Sequence, residues 1–256
     1  MELELDFPNL IESVLRWLHV LAGVAWIGHL YFFNWVNAYF APTLDAESKK
    51  KVVPELMPRA LYVFRWGAAY TWLTGVLLLV LIYYHNRPMM LGEREWGPIP
   101  IAFMVLVLVA PFIYDPIMKA IKNTKAQAAV GFVLAAAYLL GARFAAGYEY
   151  RAYSIHLGAV FGTIMAYNVW FRIWPAQKQI ITAVKNGTAP DAALVALAGG
   201  RSKHNTYMSV PLLFTMISQH GTWAASYDGA LLLVVVALGW ALTLFIYNKT
   251  KTVKGF

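Results

Sequence analysis

Five histidines lie within or at the edge of strongly apolar stretches of this 256-residue chain: His19, His29, His156, His204 and His220. An imidazole surrounded by hydrocarbon is costly without a polar partner, so an ionisable residue at membrane depth indicates a functional site. The chain has no cysteine, which excludes thiolate ligands, iron–sulfur clusters and covalently attached c-type haem. Imidazole is then the obvious ligand for a transition metal, and the pattern favours haem iron.

The composition indicates that membrane helices position these histidines. Hydrophobic residues make up 60% of the chain and charged residues 13%, whereas soluble domains carry roughly a quarter charged residues. A membrane span needs about 20 mainly apolar residues. We therefore predict an all-α integral membrane protein, a single domain over residues 1–256 built as a bundle of seven transmembrane helices. The predicted spans are about 10–37, 61–84, 99–118, 127–147, 153–174, 205–225 and 229–248.

The distribution of lysine and arginine predicts the orientation of the bundle. One set of connections and the C-terminal tail hold fifteen of the 21 basic residues, including Arg172 and Arg201, whereas few lie on the other side. Basic residues concentrate in cytoplasmic loops, so we expect the N-terminus outside and the C-terminus in the cytoplasm of a bacterial inner membrane. The net charge of +8 then reflects topology and contact with lipid headgroups, and not nucleic-acid binding. In the long connection 175–204 we expect a short cytoplasmic or interfacial helix that ends before Gly199.

This topology places His19, His156 and His220 in the outer halves of three different helices. Facing imidazoles from separate helices are what a bis-histidine haem b needs, and all three are candidate ligands of the iron. His29 and His204 are candidates for a second, inner layer. His204 and His220 are 16 residues apart, about 24 Å along a helix, so the number of haem b groups, one or two, stays open.

Several neighbouring residues could support a haem. Arg16 precedes His19 by one turn, and Gly23 follows it by one turn and would leave room for a porphyrin face. Basic side chains that could pair with haem propionates are Arg16, Arg65, Arg143 and Arg151. The alternatives are that the arginines reach lipid headgroups and that each histidine only hydrogen-bonds to a neighbouring helix. Copper or zinc bound by three histidines is a further alternative, and His85 is assigned to the aromatic belt at the interface.

Four stretches resemble the membrane domain of the bacterial cytochrome c-linked urate hydroxylase (urate oxidase) family. They are LRWLHVLAGVAWIG (15–28), RALYVFRWGAAYTWLTGVLLL (59–79), HLGAVFGTIMAYNVWFRIWPAQKQII (156–181) and RSKHNTYMSVPLLFTMISQH (201–220). The first is also similar to the haem-containing membrane protoporphyrinogen oxidase group, which supports His19 as a haem ligand. The resemblance implies functional roles at His19, His156, His204, Asn205 and His220, and it transfers least to His29.

The full-length enzymes of that family carry an eighth span that leads to a cytochrome c domain, whereas this sequence has seven predicted spans and is expected to be a short form. The implied partners are a separate c-type cytochrome or respiratory-complex subunits, the lipid bilayer and a quinone. Three functions stay open. The first is a membrane-embedded b-type haem redox protein that passes electrons from an organic or quinol donor to a c-type cytochrome or respiratory complex. The second is a urate-oxidising enzyme in which His204 and Asn205 contact the purine, and the third is a non-catalytic structural subunit of a respiratory complex.

Overall fold

The computed structural model describes residues 6–218 and 229–254, and within them all regular structure is helical. We number the eight helices of these residues in chain order. They are α1 (Phe7–Thr43), α2 (Ala46–Tyr84), α3 (Arg87–Leu91), α4 (Pro98–Ala120), α5 (Thr124–Ala145), α6 (150–185), α7 (Ala192–Ile217) and α8 (Ala230–Thr250). In α6, the segments Tyr150–Asn168 and Trp174–Lys185 are joined by a π-helical turn, Val169–Ile173.

The connections between helices begin and end with local polar signals. Asp45 caps α2 and accepts hydrogen bonds from the backbone N–H and the hydroxyl of Ser48. The backbone bond holds the pKa of Asp45 below its usual value. Asn123 and Asp191 cap α5 and α7 in the same way. Such caps satisfy N–H groups that have no partner inside the helix, so these positions fix where the helices start.

Each of the seven predicted segments overlaps a long helix of the described residues, but α2, α6 and α7 extend more than ten residues beyond one predicted bound. Helices α1 and α2 are 37 and 39 residues long, about 55–60 Å at 1.5 Å per residue, and so exceed the roughly 30 Å hydrocarbon core. Residues Phe7, Tyr84, Pro98 and Gly229 lie at one end of the bundle, which we call the N-terminal end. The opposite end, with Thr43, is called the C-terminal end. The short helix α3 is not predicted from the sequence; Asn86 caps it by accepting from the N–H of Met89.

The expected separate helix before Gly199 is wrong. Helix α7 begins at Ala192 and continues through Gly199 and Gly200 to Ile217. A glycine inside a helix costs about 1 kcal/mol relative to alanine, which weakens a helix but does not end one that tertiary contacts hold on both sides. The buried side chains of Ala198 and Arg201 supply such contacts around the two glycines.

The long helices differ in how apolar they are and in where they pack. Five of the described helices, α1, α2, α4, α5 and α8, are long and apolar enough to cross a membrane. Their outward side chains include Trp17, Phe112 and Leu238, each more than 60% exposed. Large apolar side chains on the outside of a helical bundle are typical of contact with lipid. These features indicate a membrane protein.

Helices α6 and α7 are less apolar than these five helices because they carry polar side chains into the interior. They pack against each other and are flanked by α2, α4 and α8. Polar residues of these two helices are almost completely buried: Ser154, His156, Asn168, Arg201, Asn205, Thr206 and Ser209. The described residues therefore contain five helices apolar enough to cross a membrane and not the predicted seven, because the buried polar side chains of α6 and α7 lower the mean hydropathy of these two helices.

The turn between α5 and α6 ties the N-terminal end together. Gly147 has φ +72°, a backbone angle that favours glycine, and the side chain of Arg94 packs against it. The hydroxyl of Tyr148 donates to the carbonyl of Pro100 at 2.7 Å. The N–H of Glu149 donates to the carbonyl of Met90 at 2.9 Å, which fixes α3 to this turn. These bonds place the start of α6 firmly against α3 and α4.

Candidate functional site

Three cationic side chains surround one buried carboxylate toward the C-terminal end of the bundle. Asp115 of α4 is 4% exposed. Its oxygens accept from Nε and Nη2 of Arg172 at 3.0 and 2.5 Å, from Nη2 of Arg201 at 2.7 Å and from Lys119 at 2.8 Å. We call these four residues the Asp115 cluster. Bidentate pairing with a guanidinium is among the strongest hydrogen-bonded ion pairs in proteins.

Three chain segments that are distant in sequence build this cluster. Arg172 lies in the π-helical turn of α6, a helix irregularity that is frequent at functional sites. Arg201 lies three turns into α7, and Asp115 lies near the end of α4. From the sequence alone, Arg172 and Arg201 indicate only the orientation of the bundle in the membrane, and Asp115 is not predicted as a functional residue. The available signal is a carboxylate inside an otherwise apolar segment, which is expensive without a cationic partner.

The Asp115 cluster has more positive than negative charge, since three cations share one carboxylate. Lys119 and Arg172 have side chains that are 52% and 24% exposed, so water also stabilises their charge. The side chain of Arg201 is only 5% exposed, and its Nη1 has no hydrogen-bond partner in residues 6–218 and 229–254. The positive charge of Arg201 is therefore the least compensated in the cluster.

A hydrogen-bonded chain of Tyr114, His204 and Gln127 adjoins the cluster. The amide nitrogen of Gln127 donates to the carbonyls of Met118 and Ile121 at 2.9 and 2.8 Å, so its oxygen is the atom that faces His204. Nε2–H of His204 therefore donates to Gln127 at 3.2 Å, and Nδ1 accepts from the Tyr114 hydroxyl at 2.6 Å. Both ring nitrogens of His204 are occupied, so this histidine could bind iron only by giving up one of these bonds.

Asn168 and Asn205 form the buried link between α6 and α7. The amide nitrogen of Asn168 donates to the oxygen of Asn205 at 2.9 Å, and the amide nitrogen of Asn205 donates to the carbonyl of Met165 at 3.0 Å. Oδ1 of Asn168 has no hydrogen-bond partner within the described part of the chain. Asn205 follows Arg201 by one helical turn, so the predicted purine contacts His204 and Asn205 do lie beside the cluster.

His156 lies toward the N-terminal end and is completely buried. Its Nδ1–H donates to the carbonyl of Ala152 at 2.7 Å, and Nε2 has no partner among the described residues. The rings of Tyr83, Tyr84 and Tyr148 surround the imidazole, with centroids 5.8, 5.6 and 5.2 Å away. A bond from one nitrogen to a carbonyl is the usual arrangement of a metal-ligating histidine, and His156 has the free nitrogen that an axial ligand requires.

His19 packs against α2 at a different depth. Its Nδ1 lies 3.1 Å from the hydroxyl of Thr74, and its ring approaches Gly75 so closely that a Cβ there would lie 3.0 Å from Cε1. His156 contacts the same helix at Tyr83, nine residues farther along, which is roughly 13 Å. These contacts place the two imidazoles at different levels of the bundle and do not arrange them as a facing pair.

Two residues near His19 are occupied by protein contacts. Arg16 pairs with Glu12 at 2.7 Å, one turn earlier in α1. Gly23 faces Thr71 of α2, whose methyl group would lie 3.8 Å from an added Cβ. The space that the sequence suggests for a porphyrin face is therefore filled by α2.

The three other arginines predicted to hold propionates differ in their surroundings. Arg65 stacks on Trp174, with the guanidinium carbon 4.0 Å from the ring centroid. Arg143 lies over Tyr153 at 5.9 Å, and Arg151 is exposed at the start of α6. Stacking on an aromatic ring stabilises a guanidinium, so the position of Arg65 has a structural explanation without haem.

The remaining histidines do not complete a metal site among the described residues. Nδ1–H of His29 donates to the carbonyl of Ala25 at 2.7 Å, and His85 is exposed at the N-terminal end, as expected of a belt residue. His220 lies outside the described residues. Within those residues, no group of three or more histidine, aspartate or glutamate side chains could hold a metal ion.

The described residues thus provide one free, buried imidazole nitrogen, that of His156, but no second imidazole facing it. Residues 6–218 and 229–254 therefore contain no facing pair of imidazoles that would hold a bis-histidine haem, and the third candidate ligand, His220, lies outside them. Ligation by His19, His156 and His220 stays a prediction from the sequence.

Comparison with known proteins identifies one family. The family model described as "Urate oxidase N-terminal" matches residues 6–255, nearly the whole chain. No curated protein and no solved structure matches.

Proposed function

The chain belongs to the urate oxidase N-terminal family, and from this premise we propose that it is the membrane domain of a urate-oxidising enzyme. The observation that carries the proposal is the extent of the family match, which includes α1 to α8 and both central polar helices. The geometry of the C-terminal end supports it. Urate is a planar anion at neutral pH with N–H and carbonyl groups around its rings, so a protein site for it needs a cation together with amide and imidazole groups. Arg201, His204 and Asn205 supply these groups within two turns of α7.

The proposed reaction adds water to urate and removes two electrons and two protons, giving a hydroxylated product. We propose that a separate c-type cytochrome accepts the electrons, one per haem, so two cytochromes are reduced for each urate oxidised. The protein groups at the C-terminal end would bind and orient the purine. A buried site also keeps bulk water away from the polar contacts, which strengthens them.

Urate consumption by the purified full chain tests this proposal. With oxidised c-type cytochrome present, we expect loss of the ultraviolet absorbance of urate together with cytochrome reduction in a 1:2 ratio. Ferricyanide in place of the cytochrome is the control for the partner, because it accepts electrons without docking. If urate is oxidised with ferricyanide but not with the cytochrome, the proposed cytochrome partner is contradicted. If urate is oxidised with neither acceptor, the proposed function is contradicted. A reduced visible spectrum of the same preparation tests the predicted haem b, which a colourless protein would contradict.

We further propose that all seven long helices cross the membrane, with the N-terminus outside and the C-terminus in the cytoplasm. Two observations support this topology: the long helices alternate in direction between the two ends, and basic residues are concentrated at the C-terminal end, as in cytoplasmic loops. Helices α6 and α7 would cross inside the bundle, where their polar side chains meet protein and not lipid.

The 256-residue sequence contains no cysteine, so a single introduced cysteine is the one site in it that a maleimide can label. We expect Glu93→Cys, between α3 and α4, to react in intact cells with a maleimide that cannot cross the membrane. Lys122→Cys, between α4 and α5, should react only after permeabilisation. The reverse pattern would show that the orientation is inverted, and labelling of both in intact cells would contradict the crossing of α4.

A further inference from the structure

We propose that Arg201 and Asn168 form the subsite that recognises the anionic lactam edge of urate. This inference rests on the proposed function and assigns the substrate contact to two residues that the sequence analysis does not single out as a site. It starts from two buried polar atoms that have no hydrogen-bond partner within residues 6–218 and 229–254, Nη1 of Arg201 and Oδ1 of Asn168. Buried polar groups are almost always hydrogen-bonded, and an unmade bond to a charged group is especially costly.

Both side chains contact the same residue. The guanidinium carbon of Arg201 is 5.1 Å from the ring centroid of Tyr114, and the Tyr114 side chain interacts with the side chains of both Asn168 and Arg201. Among the described residues, these two side chains thus supply one unpartnered donor and one unpartnered acceptor beside the same tyrosine. Such a pair complements a lactam edge, which presents a carbonyl oxygen next to an N–H. Urate has several such edges, and its negative charge suits the cation.

The charge balance around Arg201 favours an anion. Its carboxylate partner Asp115 also pairs with Arg172 and Lys119, so the cluster carries two uncompensated positive charges. Arg172 and Lys119 reach the surface, whereas Arg201 is buried. A hydrogen bond between a buried guanidinium and an anion is stronger than the same bond in water because the local dielectric is low.

Urate would enter this subsite past the Tyr114–His204–Gln127 chain. His204 and Gln127 are half-buried, so the polar region reaches the surface there. Tyr114 is 7% exposed and its hydroxyl bonds to His204 at 2.6 Å. Binding of urate therefore requires the Tyr114 ring to shift away from Arg201 and Asn168.

Urate affinity of Arg201 variants tests the subsite. In Arg201→Gln, Asp115 keeps Arg172 and Lys119 as partners, so we expect a folded protein whose KM and Kd for urate rise at least tenfold, with kcat changed much less. Arg201→Lys keeps the positive charge but loses the planar guanidinium. Its KM and Kd for urate should therefore lie between those of the wild type and those of Arg201→Gln. Arg59→Gln, at an exposed pair with Glu55 in α2, is the control and should match the wild type. Binding is measured with radiolabelled urate and, in parallel, with hypoxanthine, a neutral purine lactam.

A structural role for Arg201 would weaken both ligands alike, whereas the proposed role weakens urate more than hypoxanthine. If the wild type oxidises urate and Arg201→Gln does so with an unchanged KM, the subsite is overturned and the proposed function stands. Equal losses for urate and hypoxanthine would also overturn it. If the wild type neither binds nor oxidises urate, the proposed function fails and the subsite fails with it. Size-exclusion profiles and thermal unfolding of each variant verify that the fold is intact.

Discussion

Replacing Asp115 with asparagine is expected to destabilise the protein by about 3–5 kcal/mol, because removing one partner of a buried ion pair leaves the other charges uncompensated. Asparagine has nearly the same shape, so the change removes charge and little volume. In the variant, Arg201 would stay 4% exposed with no carboxylate beside it, and Arg172 would keep at most one of its two bonds, because the amide has a single acceptor oxygen. Unfolding in detergent, followed by temperature or by denaturant, measures the loss.

The matched control for this change is Glu93→Gln, which neutralises an exposed carboxylate at the other end of the bundle and should alter stability by less than about 0.5 kcal/mol. A double variant, Asp115→Asn with Arg201→Met, removes the buried cation as well. Exchanging a buried ion pair for apolar groups is often tolerated, so this double variant should recover part of the lost stability. An Asp115→Asn protein as stable as the wild type would show that the buried carboxylate does not hold α4, α6 and α7 together.

Gly158→Ala is the second substitution for which we expect a large effect, a loss of about 1–3 kcal/mol from overpacking. Gly158 of α6 faces α7 so closely that a Cβ would lie 2.1 Å from the hydroxyl oxygen and 3.2 Å from Cβ of Thr215. Thr215 is 1% exposed and its hydroxyl donates to the carbonyl of Leu212, so it has little freedom to move. Small residues at helix contacts let backbones approach closely in membrane proteins, and here they join the two central helices.

Gly162→Ala provides the comparison on the same helix, one turn farther along. A Cβ there would lie 3.4 Å from a methyl group of Leu212, an ordinary contact, and alanine favours the helix over glycine by about 1 kcal/mol. We therefore expect Gly162→Ala to be neutral or slightly stabilising in the same unfolding measurement. Equal stability of the two alanine variants would contradict the close approach of α6 and α7 at Gly158.

Some features of this protein depend on consecutive residues, and others depend on contacts between distant segments. The apolar segments, their ends and the class of fold are local properties: each depends on about 20 consecutive residues and on caps such as Asp45, Asn123 and Asp191. The resemblance to the urate hydroxylase family also depends on linear stretches, and the family match confirms it. Local signals are less reliable where tertiary contacts compete with them, as at Gly199, where the expected helix end lies inside α7.

The amino-acid sequence alone therefore determined an all-helical membrane protein and its family, whereas the seven membrane crossings stay a prediction. Only the tertiary structure decided which polar groups meet. Asp115 pairs with residues 57 and 86 positions away, and His19 and His156 contact α2 at different depths. The physical reason is that such meetings depend on the rotation of each helix about its axis and on the register between helices, and both are set by packing of all the helices together. The hydropathy of one segment and the spacing of its residues determine neither the rotation of that helix nor its register with its neighbours.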